Sequence, residues 1–174
     1  NNTLGDIVEW LNPQKGDAFF LPAGKIHALG KGNMVLEIQQ TSNITYRIFD
    51  YNRTDENGNK RELHTEEALD AIDFDSFDKK PTITFEHKKN NPNKVHHCDY
   101  FSINYLNFDE VLLRDYSKLD SFVIYVCLSG KCNIYYNNAE SETLKKGETI
   151  LIPAELNKIK LVPDESTEVM EVFI

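Results

Sequence analysis

The sequence has no apolar run near the roughly 20 residues that a membrane-spanning helix needs, so no membrane partner is expected. Its first residues, from Asn1 to Asp6, carry neither a basic stretch nor an apolar stretch and therefore lack a signal-peptide pattern. They also lack an initiator Met, which suggests that the native chain begins elsewhere. A cytoplasmic location is the default expectation.

Positive charge is scarce. The chain has 19 Lys and Arg residues against 28 Asp and Glu residues, a formal net charge of -9. Proteins that bind nucleic acid draw most of their affinity from Lys and Arg at phosphates, so no nucleic-acid partner is expected. A small anionic substrate is still allowed, because a few local cations can hold one phosphate group.

Cysteine is also scarce. The three cysteines, Cys98, Cys127 and Cys132, are odd in number and follow no CxxC spacing. This pattern argues against a disulfide framework and against a Cys-rich zinc site. Buried free thiols are the simpler interpretation.

Short stretches rich in β-branched and aromatic residues make up most of the chain, and Gly, Asn, Ser or Pro bounds each of them. Such spacing predicts antiparallel strands in a sandwich or barrel. The predicted strands cover residues 17–21, 34–39, 45–49, 101–106, 121–128, 131–136, 149–152 and 168–174.

The connections between these strands are predicted from turn and cap residues. Thr65 resembles a helix N-cap, with Glu66 and Glu67 following it, and predicts one short helix. Residues 128–131 form a hairpin signal, and residues 87–97 are interpreted as a linking loop.

An internal sequence repeat indicates two related β-barrels. Residues 15–23 (KGDAFFLPA) match residues 146–154 (KGETILIPA) in their turn, their strand and their closing Pro-Ala. The first copy has little sequence before it, and a barrel cannot close with half its strands because the open edges would stay exposed. We therefore expect the first barrel to be incomplete and the chain to be part of a longer one.

This organisation predicts three parts. Residues 1–55 would be the C-terminal strands of a first barrel, and residues 56–99 a helical and loop connection. Residues 100–174 would be a second barrel. The expected fold class is mainly β, with jelly-roll β-barrels, the first of them incomplete, and one short helix between them.

The first copy continues into a pattern that resembles the second conserved motif of the cupin superfamily. Gly16, Pro22, Gly24 and His27 follow the motif's spacing, but Lys31 stands where cupins often place Asn. A strand that ends at proline and a glycine bend could turn His27 inward. In cupins this His binds a metal; a hydrogen-bonded core histidine is the alternative.

Two longer segments carry a closer resemblance. PAGKIHALG at residues 22–30 and EIQQTSNITYRIFDYNR at residues 37–53 resemble the type I mannose-6-phosphate isomerases, in their short bacterial form. The resemblance covers the chain from about residue 10 to its end. It implies interconversion of mannose 6-phosphate and fructose 6-phosphate in a cupin barrel that holds zinc, with a sugar phosphate as the small-molecule partner.

Carried over residue by residue, the resemblance makes His27 the family's last zinc-binding His, Glu37 an active-site acid and Arg47 a pocket arginine. The family's other zinc ligands, a Gln-x-His pair and a Glu, would lie upstream, and residues 1–26 contain no His. One His does not make a zinc site. We therefore expect the parent protein to hold one zinc ion and this chain alone to be inactive and to lose it.

The residue chemistry suits an enediol isomerisation. Glu37 lies in an apolar stretch, where burial would favour its use as an acid and base, and the Arg47 guanidinium could bind the enediolate or the phosphate. A structural ion pair between Glu37 and Arg47 in the barrel wall is the alternative. Lys25 and Arg53 are further candidates for a phosphate contact, with exposed loop positions as the alternative.

Two other residues are assigned no chemistry. His64 precedes the predicted helix and is interpreted as a surface residue. In the second copy, Lys158 aligns with His27, with no His or Cys nearby, so the second barrel is expected to bind no metal.

Two other functions stay open. One is a non-catalytic cupin module that binds a sugar or a sugar phosphate, which need not keep Glu37 and Arg47 together. The other is an assembly domain whose unpaired strands join another chain, for example as a homodimer.

Overall fold

The computed structural model describes residues 3–51, 53–76, 81–137 and 140–174. By its internal contacts the chain divides into two units, Asn1–Thr82 and Ile83–Ile174. In the described ranges, no helix is both long enough and apolar enough to cross a membrane.

The first unit contains little regular structure. Its helices and strands are α1 (Leu4–Ile7), β1 (Ala18–Phe19), α2 (Thr65–Ala71) and a 3-10 turn (Phe74–Ser76), and β2 (Thr82–Ile83) lies at its boundary. The predicted helix is confirmed as α2, with Glu66 and Glu67 in its first turn. Its cap differs from the prediction, since Thr65 is already helical and His64 holds the N-cap position without a capping hydrogen bond.

Two predicted strands of the first unit, residues 34–39 and 45–49, are not strands in the structure, and β1 covers only part of 17–21. No backbone amide between residues 26 and 43 donates a hydrogen bond to another described residue. A strand exists only through a ladder with a neighbour, and the described residues supply no such neighbour.

The first unit also leaves large apolar side chains uncovered. Of the buried hydrophobic side chains in the described part of the chain, Ala68 alone belongs to this unit. Met34 is 100% exposed. The other exposed side chains of this unit include Ile7, Trp10, Leu29, Val35, Ile44 and Phe74.

The second unit is built almost entirely of strands. They are β3 (Pro92–His97), β4 (Ser102–Phe108), β5 (Leu112–Asp115), β6 (Val123–Ser129), β7 (Lys131–Tyr136), β8 (Glu140–Lys145), β9 (Thr149–Ile152), β10 (Lys158–Pro163) and β11 (Thr167–Phe173). One sheet has the order β3-β4-β11-β6-β9 and the other β5-β10-β7-β8. Their strand pairs are antiparallel.

The two sheets share one apolar core. Burial alternates along β6 and along the start of β11, as expected for strands with one face inward. The core combines side chains of both sheets: Leu106, Phe108, Val123, Tyr125, Cys127, Ile152 and Val169 from the first, and Cys132, Ile134, Leu144, Ile159 and Leu161 from the second. The mainly β fold with antiparallel sheets is thus confirmed.

The hairpin predicted at residues 128–131 is wrong. β6 pairs with β11 and β9, whereas β7 pairs with β10 and β8, so this turn carries the chain from one sheet to the other. Gly130 has φ +77°, and a Cβ on it would lie 2.5 Å from the carbonyl oxygen of Ser166. A turn between two sheets and a hairpin turn within one sheet can both need glycine at this position, so the sequence pattern alone does not distinguish them.

The loop predicted at residues 87–97 is also wrong in its second half, because β3 pairs there with β4. Asn93 is buried, and its side chain bonds both the N–H and the C=O of Lys88, at 2.8 Å each. β3 lies at the edge of its sheet, and polar residues are common on edge strands. For this reason its composition resembles a loop.

A fully buried carboxylate joins the two sheets. Glu171 on β11 is 0% exposed, and Arg114 on β5 grips it with two hydrogen bonds of 2.9 Å, from Nε to Oε1 and from Nη2 to Oε2. The remaining donors to Glu171 are Asn104 Nδ2 at 2.7 Å, Tyr116 Oη at 2.5 Å and Tyr125 Oη at 2.8 Å. We call these five side chains the Glu171 network.

The Glu171 network stays charged despite its burial. Desolvation pushes the pKa of Glu171 upward, but the charge and hydrogen bonds of Arg114 and the bonds from Asn104 and Tyr116 outweigh it, so the pKa lies below its ordinary value. Burial, followed by the Glu171 charge, raises the pKa of Tyr116 and Tyr125. Both phenols therefore remain donors.

We predict that Glu171→Gln destabilises the second unit by about 3–5 kcal/mol, because the Arg114 guanidinium, whose side chain is only 18% exposed, loses its charged partner. The double variant Arg114→Met, Glu171→Gln removes both charges and keeps an acceptor for the phenols, so it should recover at least half of the loss. Urea unfolding followed by circular dichroism measures both values. A double variant no more stable than Glu171→Gln would contradict this account.

The same network sets an acid dependence. Because the folded pKa of Glu171 lies below its ordinary value of 4.5, its stabilisation is complete above about that pH and is lost as the pH falls through the folded pKa. Below pH 4.5, the free energy of unfolding should therefore fall less steeply with decreasing pH in the double variant than in the wild type.

Candidate functional site

His27 follows a tight turn at residues 22–25. Lys25 N–H bonds the Pro22 carbonyl at 3.2 Å, and Gly24 has φ +83°, the left-handed conformation that favours glycine. The turn is anchored further along the chain, since Asp73 N–H donates to the Gly24 carbonyl at 3.0 Å. The sequence pattern thus identified a real bend before His27.

His27 itself is exposed, not turned into a core. Its Nδ1 lies 2.9 Å from the carbonyl oxygen of Lys25. A carbonyl only accepts, so this bond places the hydrogen on Nδ1 and leaves the Nε2 lone pair available. That tautomer is one in which a neutral histidine binds a metal ion.

Glu37 is exposed and belongs to no strand. The expected burial among apolar neighbours is therefore absent. Glu37 forms no ion pair or hydrogen bond with Arg47 or with His27 in the described ranges. The alternative of a Glu37–Arg47 ion pair is likewise not observed.

Arg47 is half-buried and held along its length by residues 62–64. Its N–H donates to His64 Nδ1 at 3.1 Å, and His64 N–H donates to the Arg47 carbonyl at 2.8 Å. Its Nη1 donates to the Glu62 carbonyl at 3.2 Å. The interpretation of His64 as a surface residue is wrong, since only 27% of its side chain is exposed.

A second buried carboxylate lies three residues after Arg47. Asp50 is 7% exposed and accepts hydrogen bonds from Arg61 Nε at 2.8 Å and from Arg53 Nη2 at 2.6 Å. The bond from Arg61 is the main cause that holds the pKa of Asp50 below its ordinary range; burial opposes it, and Arg53 adds to it. Asp50 and Arg61 are not among the residues predicted from the sequence, although an acid and an arginine three residues apart, Asp50 and Arg53, indicate a local ion pair.

Beside this carboxylate lies a cavity of about 220 Å³, which Asp50, Arg53, Thr54, Asp55 and Arg61 line. Arg53 is therefore not an isolated loop cation: it binds both the side chain and the carbonyl of Asp50. Lys25, the other candidate for a phosphate contact, is half-buried.

The residues described here do not by themselves fit a zinc ion. In the described part of the chain, no three His, Cys, Asp or Glu side chains come together as a metal site. His27 is one suitable ligand, and a protein zinc site needs three or four. In the second unit, Lys158 is exposed, with its Nζ 3.7 Å from an Asp115 carboxylate oxygen.

The two-sheet antiparallel sandwich of the second unit defines the class, a cupin-type fold. Residues 91–169 match the family model of the mannose-6-phosphate isomerase cupin domain. The crystal structure of the Bacillus subtilis mannose 6-phosphate isomerase superposes with a TM-score of 0.60 and 25% identity, over 74% of this chain and 40% of that one.

Curated relatives agree. Mannose-6-phosphate isomerase ManA of Bacillus subtilis is 30% identical over 157 residues, 90% of this chain and 49% of ManA. The mannose-6-phosphate isomerase of Streptococcus mutans is 51% identical over 57 residues, 33% of this chain and 18% of that protein. The chain is thus similar to mannose-6-phosphate isomerases, as its resemblance implied, and it spans about half the length of ManA.

We predict that Gly24→Ala weakens the first unit far more than Gly16→Ala. Both glycines have positive φ, +83° and +95°, so each alanine carries a similar backbone strain of about 1–2 kcal/mol. At Gly24 a Cβ would also lie 2.8 Å from the Ala71 carbonyl oxygen, whereas at Gly16 nothing lies within 4 Å. Amide exchange of α2, which the Gly24 turn contacts, measures the difference; equal effects would contradict a structural turn at Gly24.

Proposed function

We propose that this chain is the C-terminal part of a protein that interconverts mannose 6-phosphate and fructose 6-phosphate. The similarity to ManA carries the proposal, because it covers 90% of the chain and therefore includes residues 27–47. The bare apolar side chains of the first unit support the proposal that further strands, from sequence not present here, complete its barrel. We call the longer native polypeptide the extended protein.

In the extended protein, we assign the proton transfer to Glu37. The isomerisation moves a proton from C2 of the aldose to C1, while the C2 hydroxyl becomes the carbonyl and the C1 carbonyl becomes a hydroxyl. A single carboxylate can take the C2 proton and return it to C1. Glu37 has no hydrogen-bond or ion-pair partner among the described residues, so its oxygens are open to a substrate.

Arg47 is assigned to the substrate's negative charge. One nitrogen of its guanidinium is bound to the Glu62 carbonyl, which orients the group. No other described residue bonds its remaining N–H donors, which can therefore bind an enediolate or a phosphate.

Zinc belongs to the proposal for the extended protein only. When bound, zinc would polarise the carbonyl and hydroxyl oxygens of the sugar. His27, through Nε2, would be one ligand, and the others would come from outside this chain. The described residues of this chain do not by themselves fit the metal. The extended protein is proposed to act in the cytoplasm on a sugar phosphate.

A non-catalytic module that binds a sugar or a sugar phosphate is the alternative. It is favoured by one observation: no hydrogen bond or ion pair joins His27, Glu37 and Arg47 to one another in the described ranges. Such a module would bind the sugar phosphate and leave it unchanged.

We predict that the 174-residue chain with added zinc produces no fructose 6-phosphate from mannose 6-phosphate and retains less than one zinc per chain. The extended protein should turn over the substrate, and Glu37→Gln should reduce its kcat by about 10²-fold or more, since a general acid or base contributes about 10²–10⁴. A coupled assay of fructose 6-phosphate and metal analysis by mass spectrometry measure both.

Three outcomes separate the possibilities. If the 174-residue chain turns over the substrate and Glu37→Gln abolishes that turnover, the proposal that the site needs residues from outside this chain is contradicted. An inactive extended protein that still binds the sugar phosphate in calorimetry would favour the non-catalytic module. An extended protein whose activity is unchanged by the substitution Glu37→Gln would remove Glu37 from the mechanism.

A further inference from the structure

His64 forms an unusual pair of bonds with Arg47. Its side-chain Nδ1 accepts from the Arg47 N–H at 3.1 Å, while its own N–H donates to the Arg47 carbonyl at 2.8 Å. Both main-chain groups of one residue are therefore satisfied by one partner. In a sheet, a neighbouring strand would satisfy them.

The bonding fixes the chemical state that His64 needs. A backbone N–H only donates, so Nδ1 must carry the lone pair, and the hydrogen of the neutral ring lies on Nε2. Nε2 faces the Glu62 carboxylate at 4.0 Å. The N-cap role that its position offers is unused, because no capping bond is made from the His64 side chain to α2.

The position of the guanidinium follows from these bonds. Residues 45–49 form no strand, so no ladder holds the main chain of Arg47. His64 fixes the main chain, and the Glu62 carbonyl, two residues away, fixes Nη1 at 3.2 Å. The same short segment thus sets both ends of the arginine.

We infer that His64 is a positioning residue for the isomerase: it holds Arg47 in place through Nδ1 and does not itself touch the substrate. This inference rests on the proposed function, since it assigns a purpose to the position of Arg47. Mispositioning a group that binds the transition state lowers the rate even when the group itself is kept.

Three substitutions of His64 distinguish the effect of the Nδ1 hydrogen bond from the effect of the rest of the ring. Asparagine places Oδ1 at the same distance from the main chain as Nδ1, so His64→Asn keeps the acceptor. Glutamine places its oxygen where Nε2 lies, so His64→Gln loses the bond while staying polar. His64→Leu keeps the bulk without an acceptor.

The first measurement is amide exchange at the Arg47 N–H in the 174-residue chain. We expect slow exchange in the wild type and in His64→Asn, and exchange at least about tenfold faster in His64→Gln and His64→Leu, because the amide loses its acceptor. Equal exchange in all four proteins would overturn the inference, whatever the activity of the extended protein.

The second measurement is the steady-state kinetics of the extended protein. His64→Gln and His64→Leu should lower kcat/KM by about tenfold to a hundredfold, and His64→Asn should stay near the wild type. In an Arg47→Lys background, where the guanidinium is already lost, His64→Leu should cost less than about twofold. A purely structural role would give the same loss in both backgrounds and would overturn the inference.

The two measurements also distinguish this inference from the proposed function. An extended wild-type protein without isomerase activity would refute the proposed function and, with it, the catalytic purpose of His64. The amide exchange at Arg47 would still report whether the bond exists. Full activity of the extended protein with His64→Leu would leave the proposed function intact and refute the inference alone.

Discussion

The second unit is organised around one buried ion pair. Glu171 and Arg114 belong to different sheets, and their paired hydrogen bonds cross the interior between them. A buried charge pair of this kind is tolerated only when the remaining lone pairs and donors are satisfied. Three further side chains donate hydrogen bonds to the Glu171 carboxylate and so satisfy its remaining lone pairs: Asn104, Tyr116 and Tyr125. The network therefore ties β5 of one sheet to β4 and β11 of the other across the apolar interior.

The first unit also holds a buried carboxylate by hydrogen bonds, but without an apolar core of described residues around it. It has almost no apolar core among its described residues, yet Asp50 is buried beneath two arginines, and His64 and Glu62 hold Arg47. Polar contacts order this region locally. They do not cover Met34, Leu29 or the other exposed apolar side chains. Local order without a core is the physical basis for proposing that further strands belong here.

The sequence predicted the strands whose signal is local. Residues 131–136 and 149–152 were predicted with the bounds that the structure has, because apolar residues and bounding turns define them. The edge strand β3 was missed because backbone pairing defines it, and the corner at Gly130 was mistaken for a hairpin because pairing partners are not local. Residues 34–39 and 45–49 have strand composition but no ladder in the described chain.

The candidate site residues show the same difference between features that depend on local sequence and features that depend on distant partners. The motif from Gly16 to His27 predicted a bend and its glycine, and the structure has both. Glu171 was missed, although alternation along β11 places it on the same inward face as Thr167 and Val169. His64 was misjudged because its partner lies 17 residues away, and no periodicity connects them. Composition and spacing locate candidate residues, whereas their partners depend on the fold.

Hydrogen exchange along the whole 174-residue chain, read by mass spectrometry, compares the two units directly: the second has an apolar core among its described residues, and we propose that the first needs further strands. We expect strong protection in β4, β6 and β11, where the Glu171 network and the core lie, and exchange close to that of an unfolded peptide across residues 26–43. Protection of residues 26–43 comparable to that of β11 would contradict that proposal, because the first unit would then hold a closed set of strands without any further sequence.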